Sequence, residues 1–284
     1  MSTRPQYAPP MEPDALIRAK AARARKFFRV RVAVLLGVLT FVLLLAWRDV
    51  RSRRARNNWD HTLEVAVVVL RLAPTDEAAL AALRVRTAAL ETRLADELRR
   101  YRPDAPKPFA FSFFGPVDVD ARMPVPEGDG VLDLAKQSWA SWRYLSAIDS
   151  ASGVDARTFD TRIYVVVRPP TSAERQMVEG QSEQDGRVGT VEVELDVQSA
   201  DFALLVVAHE LFHTLGATDK YDAQGKTMVP LGFAEPDRRP LYPQRFVEIM
   251  ARNRPIAANA ERVPESLDEL AVGPTTAREI AWMR

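Results

Sequence analysis

The stretch His209-Glu210-Leu211-Phe212-His213-Thr214-Leu215-Gly216-Ala217-Thr218-Asp219 sets the tightest condition on how this chain can fold. It holds two of the chain's three histidines, four residues apart, with a carboxylate beside the first. In a helix, residues i and i+4 lie on one face a turn apart, so a helical segment lets both rings reach a single metal ion. Glu210 then points to the side, where it can take a proton from a metal-bound water. Gly216 allows the helix to end in a left-handed conformation, and the chain can turn back to present Asp219 as a third, oxygen ligand. Asp222 lies close enough behind Gly216 to be the alternative. Three protein ligands with one open position for water describe a catalytic zinc site rather than a structural one. With no cysteine in the chain, such a site must use nitrogen and oxygen donors.

The flanks point the same way. Phe202 to Ala208 is apolar all round, as in a helix inside a core. Ser199 suits the N-cap and Asp201 the first turn, where negative charge meets the helix dipole. A helix this apolar would not bury His209, Glu210 and His213 together without a partner. One metal ion is the simplest partner.

The eleven-residue pattern resembles the zinc-binding consensus of the metzincin clan of metallopeptidases, in the variant whose third ligand is Asp, as in snapalysin-type enzymes. The resemblance implies one Zn2+ held by His209, His213 and Asp219, with Glu210 as general base. The offset from the motif favours Asp219 over Asp222. The clan also carries a turn beneath the metal with a methionine at its centre. Met250, in Glu248-Ile249-Met250-Ala251, fits that turn better than Met228, which is nearer the helix. Tyr221 and Tyr242 are candidates to hydrogen-bond an oxyanion.

Near the N-terminus, Val32 to Trp47 is sixteen residues without a charge, extended backwards by Phe27, Phe28 and Val30. The total approaches the ~20 residues that span a bilayer, and Trp47 suits its interface. A cleaved signal peptide is disfavoured, because the run ends in Trp47-Arg48-Asp49 without a small-x-small site. The near N-side flank carries seven basic residues (Arg18, Lys20, Arg23, Arg25, Lys26, Arg29, Arg31) and the near C-side flank five (Arg48, Arg51, Arg53, Arg54, Arg56). This bias favours a cytoplasmic N-terminus and an extracytoplasmic domain. The expected organisation is a disordered basic tail over 1–26, a transmembrane helix over 27–47, a linker over 48–57 and a metallopeptidase-like domain over 58–284.

A net charge of +1 leaves no basic excess of the kind that binds nucleic acid. After the linker, strands and helices alternate. Leu63–Leu72 is β-branched and read as a strand rather than a short helix. Thr75 is expected to cap a helix through Tyr101. Phe109–Phe114 reads as a strand and Val131–Ile148 as a helix, with Trp139, Trp142 and Tyr144 expected in the core. Arg162–Arg168 reads as a strand ended by Pro169-Pro170. Val191–Val197 alternates apolar and acidic residues, as a half-exposed strand does. By the resemblance, this last strand would border the cleft and pair with an extended substrate along its edge. Its acids Glu192, Glu194 and Asp196 are expected to form a solvated face, with selection for basic substrates as the alternative. A short helix closes the chain near Thr276–Trp282.

The expected fold is α/β: a mixed twisted sheet with an active-site helix, preceded by one membrane helix. The expected activity is a membrane-anchored zinc endopeptidase. Its partners would be a protein or peptide substrate and, through one helix, the bilayer. The rival classes are a metal-binding assembly protein without turnover and a hydrolase of some other bond.

Overall fold

The computed structural model describes residues 13–124, 128, 130–171, 180–182 and 186–283. They form two compact units that divide between Arg54 and Ala55.

The first unit is carried by helix α1 (Pro13–Arg56), whose stretch Arg25–Arg48 is long and apolar enough to cross a membrane by length and composition. Residues 13–26 and 48–56, expected as a disordered tail and a linker, belong to the same continuous helix. Their Ala, Arg, Lys and Leu residues are strong helix formers, and no Gly or Pro interrupts them after Pro13. The part of the expected tail before Pro13 lies outside the described residues.

The second unit is built on a five-stranded sheet in the order β2-β1-β3-β5-β4. Strands β1 (Leu63–Arg71), β2 (Phe109–Asp118), β3 (Thr161–Arg168) and β5 (Val188–Glu194) run parallel, and β4 (Gly180–Ser182) closes one edge antiparallel to β5. The sheet is covered on both faces, so its middle strands are apolar throughout rather than alternating. Val65, Val67 and Val69 of β1 join one core with Leu83, Leu90 and Leu94 of α2 (Glu77–Arg99) and Leu204, Val207 and Leu211 of α4 (Ala200–Thr214). Ala66, Val68 and Leu70 meet Ile148 of α3 (Val131–Ser152) on the opposite face.

The fold is therefore the expected α/β class, with strand and helix order as read, but several local expectations need correction. Asp76, not Thr75, caps α2, its carboxylate accepting from the Ala78 amide at 2.9 Å. Strand β5 begins three residues earlier than expected and stops at Glu194. Beyond it, Asp196 and Ser199 bond each other's amides at 2.7 and 2.8 Å, and this turn uses up the Ser199 hydroxyl expected to cap α4.

The edge of β5 is also not open along its first half, because Val191, Thr190 and Gly189 pair with Gly180, Gln181 and Ser182. The three-residue β4 has no hydrophobic pattern that would announce it. On the exposed side of β5, Glu192 is paired with Arg122 and Arg168, so that acid is partly neutralised. Trp139 and Trp142 are not core residues, at 60% and 59% exposed. The sheet-facing stripe of α3 runs through Gln137, Ser141, Tyr144, Leu145 and Ile148, at helical spacing, and passes the two indoles by.

The rest of the chain wraps the end of α4. It includes β6 (Val247–Glu248) pairing with β9 (Leu270–Ala271), the hairpin of β7 (Arg254–Ala257) and β8 (Ala260–Arg262), and the short helix α5 (Pro274–Glu279).

Candidate metal centre

Helix α4 ends by satisfying its last carbonyls internally. Gly216 adopts φ +96°, its amide bonds the His213 carbonyl at 2.9 Å, and the Ala217 amide bonds the Phe212 carbonyl at 3.1 Å. This paired closure demands a left-handed residue, which glycine provides without steric cost. It also reverses the chain. Asp219 returns against the face that carries both histidines, its Oδ1 lying 3.2 Å from His209 Nε2 and 3.2 Å from His213 Nε2.

The other ring nitrogens explain why that convergence calls for a cation. His209 Nδ1 lies 2.8 Å from the Ile249 carbonyl, and His213 Nδ1 lies 2.9 Å from the Ala217 carbonyl. A carbonyl only accepts, so each Nδ1 carries its proton and donates. In the neutral rings both Nε2 lone pairs then face the Asp219 carboxylate. Three acceptors gathered around one point repel unless positive charge lies among them. Two added protons would supply it; so would one metal ion. The spacing suits the ion. Tetrahedral ligands at about 2.0 Å from zinc lie roughly 3.3 Å from one another, close to the separations seen here. Donor atoms of His209, Glu210 and His213 also lie within 4.8 Å of one another.

Without metal, the charges of the site lean on each other. Burial works against ionised Asp219, but hydrogen bonds from His209 and His213 outweigh it and hold the carboxyl well below its usual range. Burial likewise works against charged His213, and its bonds to Asp219 and the Ala217 carbonyl outweigh that and raise its pKa.

Glu210 is buried beside His209, in the wall of a cavity of about 340 Å³ that Phe202, Leu205, Val206 and Ile249 also line. Gly180 of β4 lies directly over it: a Cβ at position 180 would overlap the Glu210 carboxylate. Glycine is needed there for close approach, not for a special φ.

Met250 is fully buried beneath the histidines. The preceding carbonyl, of Ile249, holds His209, and its own carbonyl accepts the Lys220 amide at 2.9 Å. The turn is fastened by Glu248, a fully buried carboxylate that accepts from the amides of Met250 at 2.7 Å and Gly273 at 3.3 Å. Burial raises the Glu248 pKa. Met228 is half-buried on the far side of the bridge between Tyr221 and Thr227, its amide bonded to the Lys220 carbonyl.

The remaining candidates separate clearly. Tyr221 stacks on His209, with centroids 6.3 Å apart and planes at 23°, and the Arg252 guanidinium lies over the Tyr221 ring at 5.7 Å. Burial, then the charge of Asp219 and a hydrogen bond to it, pushes the Tyr221 hydroxyl up to about 12. Asp222 does not join the cluster. Its Oδ1 accepts from the amides of Gln224 at 3.0 Å and Lys226 at 2.9 Å, closing a turn. Tyr242 packs edge-on against Phe233 and does not line the cavity.

Two residues outside the motif complete the centre. Lys220 is 2% exposed, and its Nζ donates to both Glu279 oxygens at 2.8 Å and to Thr218 O and Oγ1 at 2.7 and 2.6 Å. Glu279 in turn accepts from the Thr218 amide at 3.1 Å and hydroxyl at 2.9 Å. Asp219 is thus flanked on both sides by residues tied to α5. Sixty residues of sequence separate the two carboxylates, and nothing local signals the link.

No protein-family model matches the chain, and no curated protein matches it. Among solved structures it is similar to archaemetzincin from Methanopyrus kandleri, at 11% identity over 61% of this chain and 79% of that one, with a TM-score of 0.29.

Proposed function

We propose that this chain is a zinc-dependent endopeptidase, anchored in a membrane by Arg25–Arg48. One observation carries the proposal: two histidine Nε2 lone pairs and one Asp219 oxygen meet around a common point, with both Nδ1 protons already committed to carbonyls. His209, His213 and Asp219 would hold one Zn2+. When bound, the ion lowers the pKa of a coordinated water and polarises the scissile carbonyl. Glu210, buried at the mouth of the cavity beside His209, accepts the water's proton and passes it to the leaving amine. Gly180 leaves room for the Glu210 carboxylate, which a side chain at position 180 would displace. Tyr221, against His209 and Asp219, is placed to donate its hydroxyl proton to an oxyanion.

A peptide substrate is favoured by the surroundings of Glu210. Strand β4 forms the edge of the sheet there, and an extended chain can add to a sheet edge through its own amides and carbonyls. The cavity next to Glu210, with Phe202, Leu205, Val206 and Ile249 on one part of its wall and Arg252 on another, has room for one side chain of that substrate. The basic clusters flanking the span favour a cytoplasmic N-terminus, with the folded unit on the outer side.

The test uses the full chain in detergent or vesicles, incubated with mixed protein substrates with and without chelator. Chelator-sensitive cleavage that Glu210→Ala abolishes, with zinc still bound at one equivalent, is the expected result. Stoichiometric metal with no cleavage in the intact chain would sink the peptidase and leave a metal-binding protein without turnover.

A further inference from the structure

Helix α3 covers one face of the sheet with only part of its own surface, and it leaves aromatic residues in the open. Trp139 and Trp142 stack on each other, with centroids 5.1 Å apart and planes at 29°. Each is about three-fifths exposed, and Leu132, two turns before Trp139, is 76% exposed. At 100° per residue, Leu132, Ala135, Trp139, Trp142 and Ser146 fall on one side of the helix. Lys136 and Arg143, both exposed, border it. Lys136 reaches Asp133 at 3.6 Å, a solvent-exposed pair that holds the ammonium only weakly.

Stacked indoles at the surface, apolar neighbours and a basic border are the chemistry of a membrane interface. Tryptophan partitions to the headgroup level, because its ring is apolar and its N–H needs a hydrogen-bond partner. Lysine and arginine beside it meet anionic headgroups. The chain also brings a bilayer close. Only residues 49–54 separate the end of the apolar stretch at Arg48 from the start of the second unit at Ala55. As part of α1, those six residues rise only about 9 Å. On the reading that Arg25–Arg48 spans a bilayer, the folded unit works at a lipid surface and some face of it must meet headgroups. A face that lies near its partner at all times needs little affinity of its own, because tethering makes the contact intramolecular.

We propose that the α3 face formed by Leu132, Trp139 and Trp142, bordered by Lys136 and Arg143, is a lipid-docking surface that inserts its indoles at the headgroup level of an anionic bilayer. The contact orients the second unit on the membrane that anchors it, and so selects which substrates can reach the cleft.

The proposal rests on the membrane-span reading, and one experiment separates the two. The full chain carrying Trp47→Phe is reconstituted in phosphatidylglycerol-containing vesicles, made with or without lipid brominated high on the acyl chains. Flotation with the vesicles tests the span. Tryptophan emission tests the face, since bromine quenches only indoles that touch it. With Trp59 and Trp282 buried in the core, bromination should lower the emission by about half, the share of the two interfacial indoles. Adding Trp139→Phe and Trp142→Phe should leave emission that bromine does not change. A chain that floats with its emission unquenched overturns the docking face and assigns it to a protein partner or a second copy. A chain that does not float overturns the span, and the docking proposal falls with it.

Discussion

Lys220 and Glu279 form a two-pronged ion pair at 2.8 Å to each carboxylate oxygen, with the lysine 2% exposed, directly behind Asp219. A buried ammonium is tolerable only when fully paired. Here the pairing also fixes the backbone on either side of Asp219, through Thr218 and the Met250 carbonyl.

Glu279→Ala should therefore act twice. It leaves Lys220 with only its Thr218 acceptors, and because Glu279 is 27% exposed the cost in denaturant unfolding should fall below the about 3–5 kcal/mol of a wholly buried pair. It also loosens the third ligand, which should weaken zinc binding by roughly 10- to 100-fold in a competition titration. The double variant Lys220→Met/Glu279→Leu should recover most of the stability but not the zinc affinity. Recovery of both would show that the pair serves folding alone.

The third ligand is read directly by metal analysis. Asp219→Ala should lose tight zinc binding. Asp222→Ala should keep one equivalent, because that carboxylate only closes the turn through the Gln224 and Lys226 amides. Its cost is expected near 1 kcal/mol, the usual worth of such bonds. The opposite pattern would reassign the ligand.

Gly180→Ala places a methyl group on the Glu210 carboxylate. Zinc stoichiometry should be unchanged, because the three ligands do not move. Turnover should fall by roughly 100-fold, the usual result of displacing a reacting group by about 1 Å. Measuring kcat and bound metal on the same sample decides it.

Met250→Ala empties a fully buried site beneath His209, and about 2–5 kcal/mol of stability should go with it. Met250→Leu conserves volume and should cost less than about 1.5 kcal/mol. Chemical denaturation of the metal-stripped protein keeps ligand effects out of the comparison.

The metal-stripped protein should show a characteristic pH dependence. Asp219 titrates below its ordinary 3.8 in the fold, so its contribution to stability is present above that pH and fades as pH falls. His213 titrates above its ordinary 6.5, so its contribution is complete below 6.5 and fades as pH rises through the folded value. Tm should then be highest between roughly pH 4 and 6.5 and decline above neutrality. Asp219→Asn should flatten both limbs, and zinc should remove the alkaline decline. A Tm that rises from pH 6 to 8 without metal would contradict the hydrogen-bonded cluster.

Much of this arrangement was legible in the sequence because it is encoded locally. Spacings of four residues and a glycine specify the helix, its end and the return of Asp219. The valine runs of β1 and β3 specify buried strands. What escaped notice depends on contacts between distant segments. Gly180 matters only because β4 folds over Glu210, and Glu279 matters only because α5 packs behind Thr218. By residue type Trp139 and Trp142 belong in the core, whereas the stripe of α3 that meets the sheet runs through Ser141 and Leu145 instead. Periodicity, weighed above residue type, would have found that.

The tie from Thr218 and Lys220 to Glu279 has a consequence for the chain while it is being made. The proposed ligands and Glu210 have all been synthesised by position 219, yet the brace behind Asp219 arrives sixty positions later. On the proposed function, a nascent chain carries an unbraced Asp219 until the closing helix docks, so any product shortened before that helix should be inactive although its whole signature motif is present.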